Sequence, residues 1–273
     1  MTEADAIAAA DRPATRSTIA ADLAALGVEP GMTLMVHSSL SRLGFVAGGA
    51  HAVVLALLDA VGPDGTVMMP TLSGHLSDPA AWMNPPVPES WWETIRAETP
   101  PYDPDLTPTR DMGAIVECFR HLPGVRRSAH PTASMAAIGP RAAELLEPHD
   151  LAYPLGEASP LARLYDLDGH VLLLGVTHAN NTSLHLAEYR SPPPSGPPWV
   201  RRGAPVMRGG EATWVTYDDL EDDDGDFHEL GEAFATTGLE RRGAIGAGVG
   251  RCMRSRDIVD FGVEWLRQHR RGG

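Results

Sequence analysis

The sequence predicts an α/β protein with a central mixed, largely parallel sheet and flanking helices. Short apolar runs typical of buried strands alternate with amphipathic helical segments, which is the pattern of βαβ units. The 273 residues are 43% hydrophobic and 21% charged, an ordinary balance for a folded chain with a sizeable core. We therefore expect a single domain over residues 1–273.

The N-terminal part of the chain supplies the first βαβ unit. A helix capped by Ser17 and ended by Gly27 precedes the strand TLMVHSS, which begins at Thr33. A second helix opens at Gly48 and leads to the strand TVMMPT, which begins at Thr66. A right-handed crossover makes these two strands parallel.

Residues 73–109 differ in character from the rest of the chain. They are rich in proline, include the tryptophans Trp82, Trp91 and Trp92, and follow neither a helical nor a strand period. A connection this long in a compact domain is usually functional or disordered, and its aromatic residues argue against disorder. We interpret it as an excursion that lines or covers a substrate cleft. The alternative is a lobe that only packs on the core.

The remaining elements continue the alternation. A helix from Met112 to Leu122 and a strand from Ala133 to Ile138 come first, and the apolar run HVLLLGV is typical of a strand buried on both faces. A polar turn at Asn181 opens the helix SLHLAEYR. A hairpin that turns at Gly209-Gly210, the glycine-rich strand RGAIGAGVGRCM and the amphipathic helix RDIVDFGVEWLRQH complete the chain.

Charge and composition exclude several classes of function. The formal net charge is −14, which argues against a nucleic-acid partner because phosphate binding needs a basic surface. The same charge suits a cationic small molecule, or serves solubility alone. Cys118 and Cys252 do not form a C-x-x-C pair, so zinc and redox motifs have no support.

The location expected from the sequence is the cytoplasm. The N-terminus lacks the basic and apolar regions of a secretory signal, and two isolated thiols fit a reducing compartment. No apolar run approaches the ~20 residues that a membrane-spanning helix needs. We therefore expect a soluble cytoplasmic protein without a membrane partner.

The segment NNTSLHLAE is a candidate for acid–base chemistry. It follows a predicted strand, and ligands of open α/β sheets gather outside the carboxyl ends of strands. His185 falls in the first helical turn, and Glu188 lies three residues on, on the same face of the helix. A histidine held by a carboxylate is the usual form of a neutral general base. The alternative is an ordinary surface pair, which helices often carry.

Two further segments carry polar groups at predicted strand ends. VHSSLSRLG, over 36–44, brings hydroxyls and backbone N–H groups that suit an oxyanion, although an ordinary turn is equally compatible. RRSAHPTAS, over 126–134, combines arginines, a histidine and hydroxyls, as a phosphate site or a solvated loop would. The sequence contains neither a P-loop nor a G-x-S-x-G nucleophile elbow.

Several motifs together resemble the aminoglycoside 3-N-acetyltransferase family. They are, in order, VHSSLSRLG, MPTLSG, SDPAAWMNPPVPESWWETIR, TPTRDMG, RRSAHPTAS, GEASPLARLYDLDG and VLLLGVTHANNTSLHLAE. The resemblance implies the antibiotic N-acetyltransferase fold, distinct from the GNAT fold, and direct acetylation of the 3-amino group of an aminoglycoside by acetyl-CoA. It implies no metal ion.

The resemblance also assigns roles to individual residues. His185 would be the general base, and Glu188, Asp218 or Asp219 would be the carboxylate that orients it. A larger set would contact acetyl-CoA: Ser38, Ser39, Leu40, Thr71, Met112, Gly113 and Ser128. We expect a cationic aminoglycoside to meet the excursion at Trp92, Glu93, Asp103 and Asp105, since a polyamine requires carboxylates. Further acids are available to it at Glu98 and at Asp222 to Asp224.

Other functions remain open at the level of sequence. The same chemistry could act on a different amine, because function belongs to the site rather than to the fold. A CoA-binding protein without turnover is an alternative from a different class. A hydrolase with a Ser-His-acid triad is disfavoured by the missing elbow. The sequence is compatible with a monomer or a homodimer.

Overall fold

The computed structural model describes residues 3–8, 12–192 and 198–270. The strands are β1 (Thr33–Ser38), β2 (Thr66–Pro70), β3 (Arg126–Arg127), β4 (Met135–Ile138), β5 (His170–Leu174), β6 (Trp199–Arg208), β7 (Glu211–Leu220), β8 (Arg241–Ile245) and β9 (Gly248–Arg254). The helices are α1 (Glu3–Ala8), α2 (Arg16–Ala25), α3 (Gly49–Val61), α4 (Trp92–Glu98), α5 (Gly113–Arg120), α6 (Ala142–Leu146), α7 (Pro160–Asp166), α8 (Ser183–Arg190), α9 (Phe227–Ala235) and α10 (Ser255–His269).

Seven strands form the central sheet, in the order β3-β4-β2-β1-β5-β9-β8. The central pairs β2·β1 and β1·β5 are parallel, and each remaining pair is antiparallel. Five of the seven strands therefore run in one direction, and β4 and β9 run in the other. The predicted mixed, largely parallel sheet with flanking helices is confirmed.

The alternation of side chains along β1 divides the core between the two faces of the sheet. Leu34 and Val36 join one cluster, which includes residues of α2, α3 and α5. Met35 joins the other, which includes residues of α7, α8, α9 and α10. Because successive strand residues point to opposite faces, His37 shares the face of Met35 and of α8. This alternation decides which helices His37 can reach.

The glycine-rich segment differs from the single strand that the sequence predicts. It forms the hairpin of β8 and β9, which turns at Gly246. Gly246 has a φ of 55°, and a Cβ there would lie 2.5 Å from the carbonyl oxygen of Leu43. Only glycine fits this left-handed turn against a neighbouring backbone. The reason is a tertiary contact, which strand-like periodicity does not reveal.

Several predicted boundaries also change. Thr15, rather than Ser17, caps α2, because its hydroxyl accepts from the Thr18 amide in a capping box. The predicted turn at Gly209-Gly210 is confirmed, and it joins longer strands, β6 and β7, that pair apart from the central sheet. The excursion over 73–109 contains short 3₁₀ turns and helix α4.

In the part of the chain that the structure describes, no helix has the length and apolar character that crossing a membrane requires. Within the same residues, no group of three or more His, Cys, Asp or Glu side chains is placed to hold a metal ion.

Candidate active site

The candidate site lies where parallel strands β1 and β5 end side by side. Ser38 pairs with Leu174 at the last position of both strands. A 3₁₀ turn, Leu40–Arg42, follows β1, and another, His178–Asn180, follows β5 and leads into α8. Carboxyl ends of adjacent parallel strands diverge into their loops and leave a crevice. Three cavities formed by the described residues open at that edge.

Three neighbouring cavities share residues at this edge. The largest measures about 1120 Å³ and the smallest about 200 Å³, and both are lined by Ser38, Asp111, Met112, Val176 and Asn180. A third, of about 550 Å³, is walled by the excursion together with Arg110, Asp111 and Met112. Asp111 and Met112 therefore line all three. A ligand in the large cavity and one in the small cavity would meet at this common wall.

His185 lines the small cavity and is paired with Glu188. Its Nδ1 atom lies 2.6 Å from Oε2 of Glu188, and the two side chains are 14% and 3% exposed. The ring also packs against Phe227, at 5.0 Å between ring centroids. Because Nδ1 is engaged with a carboxylate, the second nitrogen, Nε2, remains for proton transfer.

Glu188 is itself held from the opposite side. Its Oε1 atom accepts hydrogen bonds from Nη1 of Arg270 at 2.6 Å and from the Asp223 amide at 3.1 Å. Arg270 also forms an ion pair with Asp226. The carboxylate is thus fixed between helix α8, the segment before α9 and the residue after α10, which restricts the imidazole of His185 to one orientation.

The pKa of His185 is raised above its ordinary value of 6.5. Burial opposes the charged imidazolium and lowers this pKa. The hydrogen bond and the charge of Glu188 outweigh burial, and the charges of Asp222 and Asp224 add to them. The site therefore strengthens His185 as a base.

His37 is a second histidine of the small cavity. It is 5% exposed, and its Nε2 atom is buried without a hydrogen-bond partner among the described residues. Its pKa is lowered to about 3, mainly by burial and also by the positive charges that His185 and His178 can carry. This imidazole is neutral at physiological pH. His37 falls within VHSSLSRLG, but no role was predicted for it from the sequence.

The other two predicted partner carboxylates lie elsewhere. Asp218 forms an ion pair with Arg201 at 2.7 Å. Asp219 accepts hydrogen bonds from the hydroxyl of Tyr189 and from the Leu220 amide, and burial raises its pKa. Neither makes a hydrogen bond or ion pair with His185 within the described ranges. Of the three candidates, the structure brings only Glu188 to the imidazole.

Five of the predicted cofactor residues line the large cavity: Ser38, Ser39, Leu40, Met112 and Gly113. Arg42 and Arg251 line it as well and bring positive charge to an otherwise acidic protein. Thr71 and Ser128 are not part of this lining. Both are buried, and their hydroxyls are hydrogen-bonded within the fold, to Ser134 and His149 respectively. The structure therefore places both hydroxyls within the fold, outside the lining of the large cavity.

The arginines of RRSAHPTAS are also used within the fold. Arg126 pairs with Glu147, and Arg127 donates to the Thr71 carbonyl at 2.7 Å and to the Thr107 carbonyl at 2.5 Å. Arg127 thus ties the excursion to the edge of the sheet, and Arg126 ties β3 to the residue after α6. Both arginines of this possible phosphate site therefore make contacts within the fold.

The predicted substrate residues do not line the three cavities. Trp92 and Glu93 begin helix α4, and Glu93 is exposed to solvent. Asp103 accepts from the amides of Asp105 and Leu106, and the Asp105 carbonyl accepts from Arg120. Asp103 and Asp105 thus build a turn of the excursion, and Trp92 and Glu93 belong to its helix. The cavity wall comes from other residues of the same segment: Gly74, Trp82, Met83, Asn84, Pro85 and Val87.

Two carboxylates do line these cavities, Asp224, which is one of the further acids that the sequence offered to a polyamine, and Asp111, which was not predicted. Asp224 lines the small cavity, as Asp111 does. Asp111 has a φ of 60°, which is uncommon for a residue with a side chain, and its side chain is 88% exposed beside Arg110. Asp111 falls within the motif TPTRDMG, so the sequence could have pointed to it. Only Met112 and Gly113 of that motif were predicted as site residues.

A second buried histidine–carboxylate pair supports the turn before α8. Nε2 of His178 lies 2.6 Å from Oε2 of Glu240, and these side chains are 1% and 0% exposed. Gly231 of α9 packs so closely against His178 that a Cβ there would lie 2.1 Å from the ring. This contact fixes the chain between β5 and His185.

The fold and site are those of an acyltransferase family. A family model described as aminoglycoside 3-N-acetyltransferase matches residues 35–267. The chain belongs to this aminoglycoside 3-N-acetyltransferase family.

Individual relatives agree with this assignment. The SPbeta prophage-derived aminoglycoside N(3')-acetyltransferase-like protein YokD of Bacillus subtilis (strain 168) is 45% identical over 93% of both chains. Its crystal structure has a TM-score of 0.95 and 98% coverage of both chains. Aminoglycoside N(3)-acetyltransferase VII of Streptomyces paromomycinus is 38% identical over 94% of this chain and 93% of its own. The structure of AAC-IIIb with CoASH, 35% identical, has a TM-score of 0.84 and covers 96% of this chain and 98% of its own.

Proposed function

We propose that this protein transfers the acetyl group of acetyl-CoA to the 3-amino group of an aminoglycoside, with His185 as the general base. The observation that carries the proposal is the His185–Glu188 pair at the wall of a small cavity that adjoins a cavity of about 1120 Å³. The family and the relative with bound CoASH support the donor, and the relatives' names support the acceptor.

The large cavity suits acetyl-CoA in size and in chemistry. Binding pockets for small ligands typically measure ~300–1,000 Å³, and a long nucleotide thioester needs the upper end of that range. Arg42 and Arg251 offer charge to phosphates. The Oγ atom of Ser38 is buried and has no hydrogen-bond partner among the described residues. Ser38 lies at the wall that the large and the small cavity share.

Bound acetyl-CoA supplies an acetyl thioester, which a neutral amine attacks so that a C–N bond forms, the C–S bond breaks and CoA leaves as a thiol. His185 accepts the amine proton at Nε2 while Glu188 holds Nδ1 and stabilises the imidazolium. His185 then returns the proton to the departing sulfur. Phe227, which packs against the imidazole, covers part of it from water.

Direct attack is favoured over an acyl-enzyme. Ser38 has no hydrogen-bond partner for Oγ within the described residues, so neither His37 nor His185 activates it as a base would. Burial raises the pKa of Cys252 to about 11 and also raises that of Cys118, and neither thiol lines the three cavities. A thiolate nucleophile is therefore disfavoured.

The acceptor must be a cation that reaches the small cavity. Asp111 and Asp224 face it, and Asp111 also faces the cavity walled by the excursion. An aminoglycoside carries several ammonium groups, so one amine can lose its proton at His185 while others pair with these carboxylates. The excursion would hold the remaining sugar rings.

The proposal is tested by incubating the protein with acetyl-CoA and a panel of aminoglycosides, some lacking a free 3-amino group. Thiol release is followed, and the modified nitrogen is identified by mass spectrometry and NMR. We expect acetylation at the 3-amino group and none of the analogues that lack it. Acetylation of another amine would replace the proposed acceptor, and CoA binding without turnover would support a non-catalytic binding protein.

A further inference from the structure

The imidazole of His37, near the end of β1, has a polar atom that the described residues leave without a hydrogen-bond partner. Nε2 of His37 is buried and makes no hydrogen bond to any residue that the structure describes. Buried polar atoms are nearly always satisfied, so an exception calls for a missing partner. His37 lines the small cavity together with His185, so a ligand in that cavity is the candidate partner.

The position of His37 in the strand explains why its imidazole reaches this cavity. It lies opposite Leu173 of β5, on the sheet face that packs against α8 and α9. The next residue, Ser38, turns to the other face and lines both the small and the large cavity. His37 therefore stands beside the wall that the cavities share, where donor and acceptor must meet.

The backbone of the neighbouring turn is partly used by the sheet. The sequence suggested the amides of Ser38 to Leu40 as donors to an oxyanion. The Ser39 amide donates instead to the Leu174 carbonyl at 2.9 Å. One expected donor is thus committed to β5, and a side-chain donor could take its place where negative charge develops.

We propose that His37 donates a hydrogen bond from Nε2–H to the carbonyl oxygen of the bound thioester. The inference rests on the proposed function. His185, backed by Glu188, is already the base of the site, so the amine proton needs no second acceptor. A neutral imidazole is an effective donor to a carbonyl on which negative charge grows, because it need not lose its proton.

The role of His37 is a catalytic one that differs from that of His185. The charge state of His37 does not change between pH 5 and pH 9, because burial holds its pKa at about 3. Replacing it should therefore lower kcat without moving the pH at which activity falls. A base or a residue that tunes the base would move that pH.

The test uses a 13C-labelled acetyl-CoA analogue in which a methylene group replaces the sulfur, so that the carbonyl stays and transfer is blocked. In the wild-type protein, we expect the infrared carbonyl band to shift to lower frequency on binding. His37→Met, which keeps the volume and removes the donor, should lose this shift. His37→Gln, whose amide nitrogen can take the place of Nε2, should retain most of it.

Kinetics and affinity complete the experiment. We expect His37→Met to lower kcat about 10²-fold and to weaken binding of the carbonyl analogue. The affinity for CoA and the pH profile of kcat should stay unchanged. If His37→Met does not fold, the Nε2–H proton signal of wild-type His37 gives the answer. It should move downfield with the analogue and not with CoA, which lacks the carbonyl.

The outcomes separate this inference from the proposed function. Wild-type turnover together with an identical carbonyl band in wild type and His37→Met would overturn the role of His37 and leave the acetyltransferase intact. An Nε2–H signal that does not move when the analogue binds would also overturn the role of His37 and leave the acetyltransferase intact. A wild-type protein that binds neither the analogue nor CoA would overturn the proposed donor, and the role of His37 with it.

Discussion

Nδ1 of His185 lies 2.6 Å from Oε2 of Glu188, one helical turn away on α8. The same carboxylate accepts a hydrogen bond from Arg270, a residue 82 positions further along the chain. The His185–Glu188 pair within one helix is thus held in place by Arg270, which is distant in sequence. This arrangement sets both the orientation of the imidazole and the pH at which it loses its proton.

We predict that Glu188→Gln lowers kcat about 10²-fold and moves the acid limb of its pH profile to lower pH. His185 acts only when neutral, so activity rises as pH increases through its pKa. Glu188 raises that pKa, and an amide would not. The pH dependence of kcat checks this. Asp218→Asn is the control, since Asp218 pairs with Arg201, and an equal effect of both changes would contradict the assignment.

Acetyl-CoA binding can be tested through thermal stability. A ligand that binds only the folded state at 100 times its Kd stabilises it by about 2.7 kcal/mol. We expect CoA to raise Tm of the wild-type protein and a bulky residue at the cavity wall, Ser39→Phe, to abolish the rise. Ser17→Phe, at an exposed position of α2, should keep it. An unchanged rise in Ser39→Phe would place CoA outside this cavity.

Aminoglycoside binding should depend on salt and on the carboxylate at the junction of the cavities. Exposed charge pairs are screened over ~10 Å at 0.1 M salt, so KM of the drug should rise with ionic strength. Asp111→Asn should raise that KM about two- to fivefold at low salt and leave KM of acetyl-CoA nearly unchanged. Glu93→Gln, on exposed α4, is the matched control. Equal KM values in both variants would remove Asp111 from the acceptor site.

Buried histidines should make the fold sensitive to acid. Burial lowers the pKa of His130 to about 3 and that of His149 to about 4, below the ordinary 6.5. As pH falls below 6.5, the unfolded chain therefore binds protons before the folded one does. Each histidine then lowers the free energy of unfolding by about 1.4 kcal/mol per pH unit until its folded pKa is reached.

Denaturant unfolding at pH 6.5 and pH 5 measures this loss. We predict that the free energy of unfolding falls less in His149→Gln than in the wild-type protein, by about 1–2 kcal/mol between pH 6.5 and pH 5. His51→Gln, at an exposed position, should behave as wild type. An unchanged loss in His149→Gln would show that other groups govern the acid response.

The sequence predicted the features of the fold that depend on local pattern. Apolar runs and helical periods identified β1, β2 and β5 because each is buried on both faces or follows a clear turn. The hairpin at Gly246 was missed, since the turn there is required by the Leu43 carbonyl, which is 203 residues away in sequence. Contacts of that kind leave no local period.

The same distinction applies to the site. His185 and Glu188 were predicted as a pair because i and i+3 positions meet on one helix. Thr71 and Ser128 were expected at the cofactor, but hydrogen bonds to Ser134 and His149 hold them inside the fold. Asp111 was not identified, because its exposure at the junction of the cavities depends on a left-handed backbone that composition does not reveal.

The central claim, that His185 is the general base of an aminoglycoside acetyltransferase, is tested most directly by His185→Ala. Single-turnover acetylation should fall about 10²–10⁴-fold, with the Tm rise on CoA binding preserved. His228→Ala, at an exposed position of α9, should acetylate as wild type does. A His185→Ala variant that acetylates the 3-amino group at nearly the wild-type rate would contradict the account.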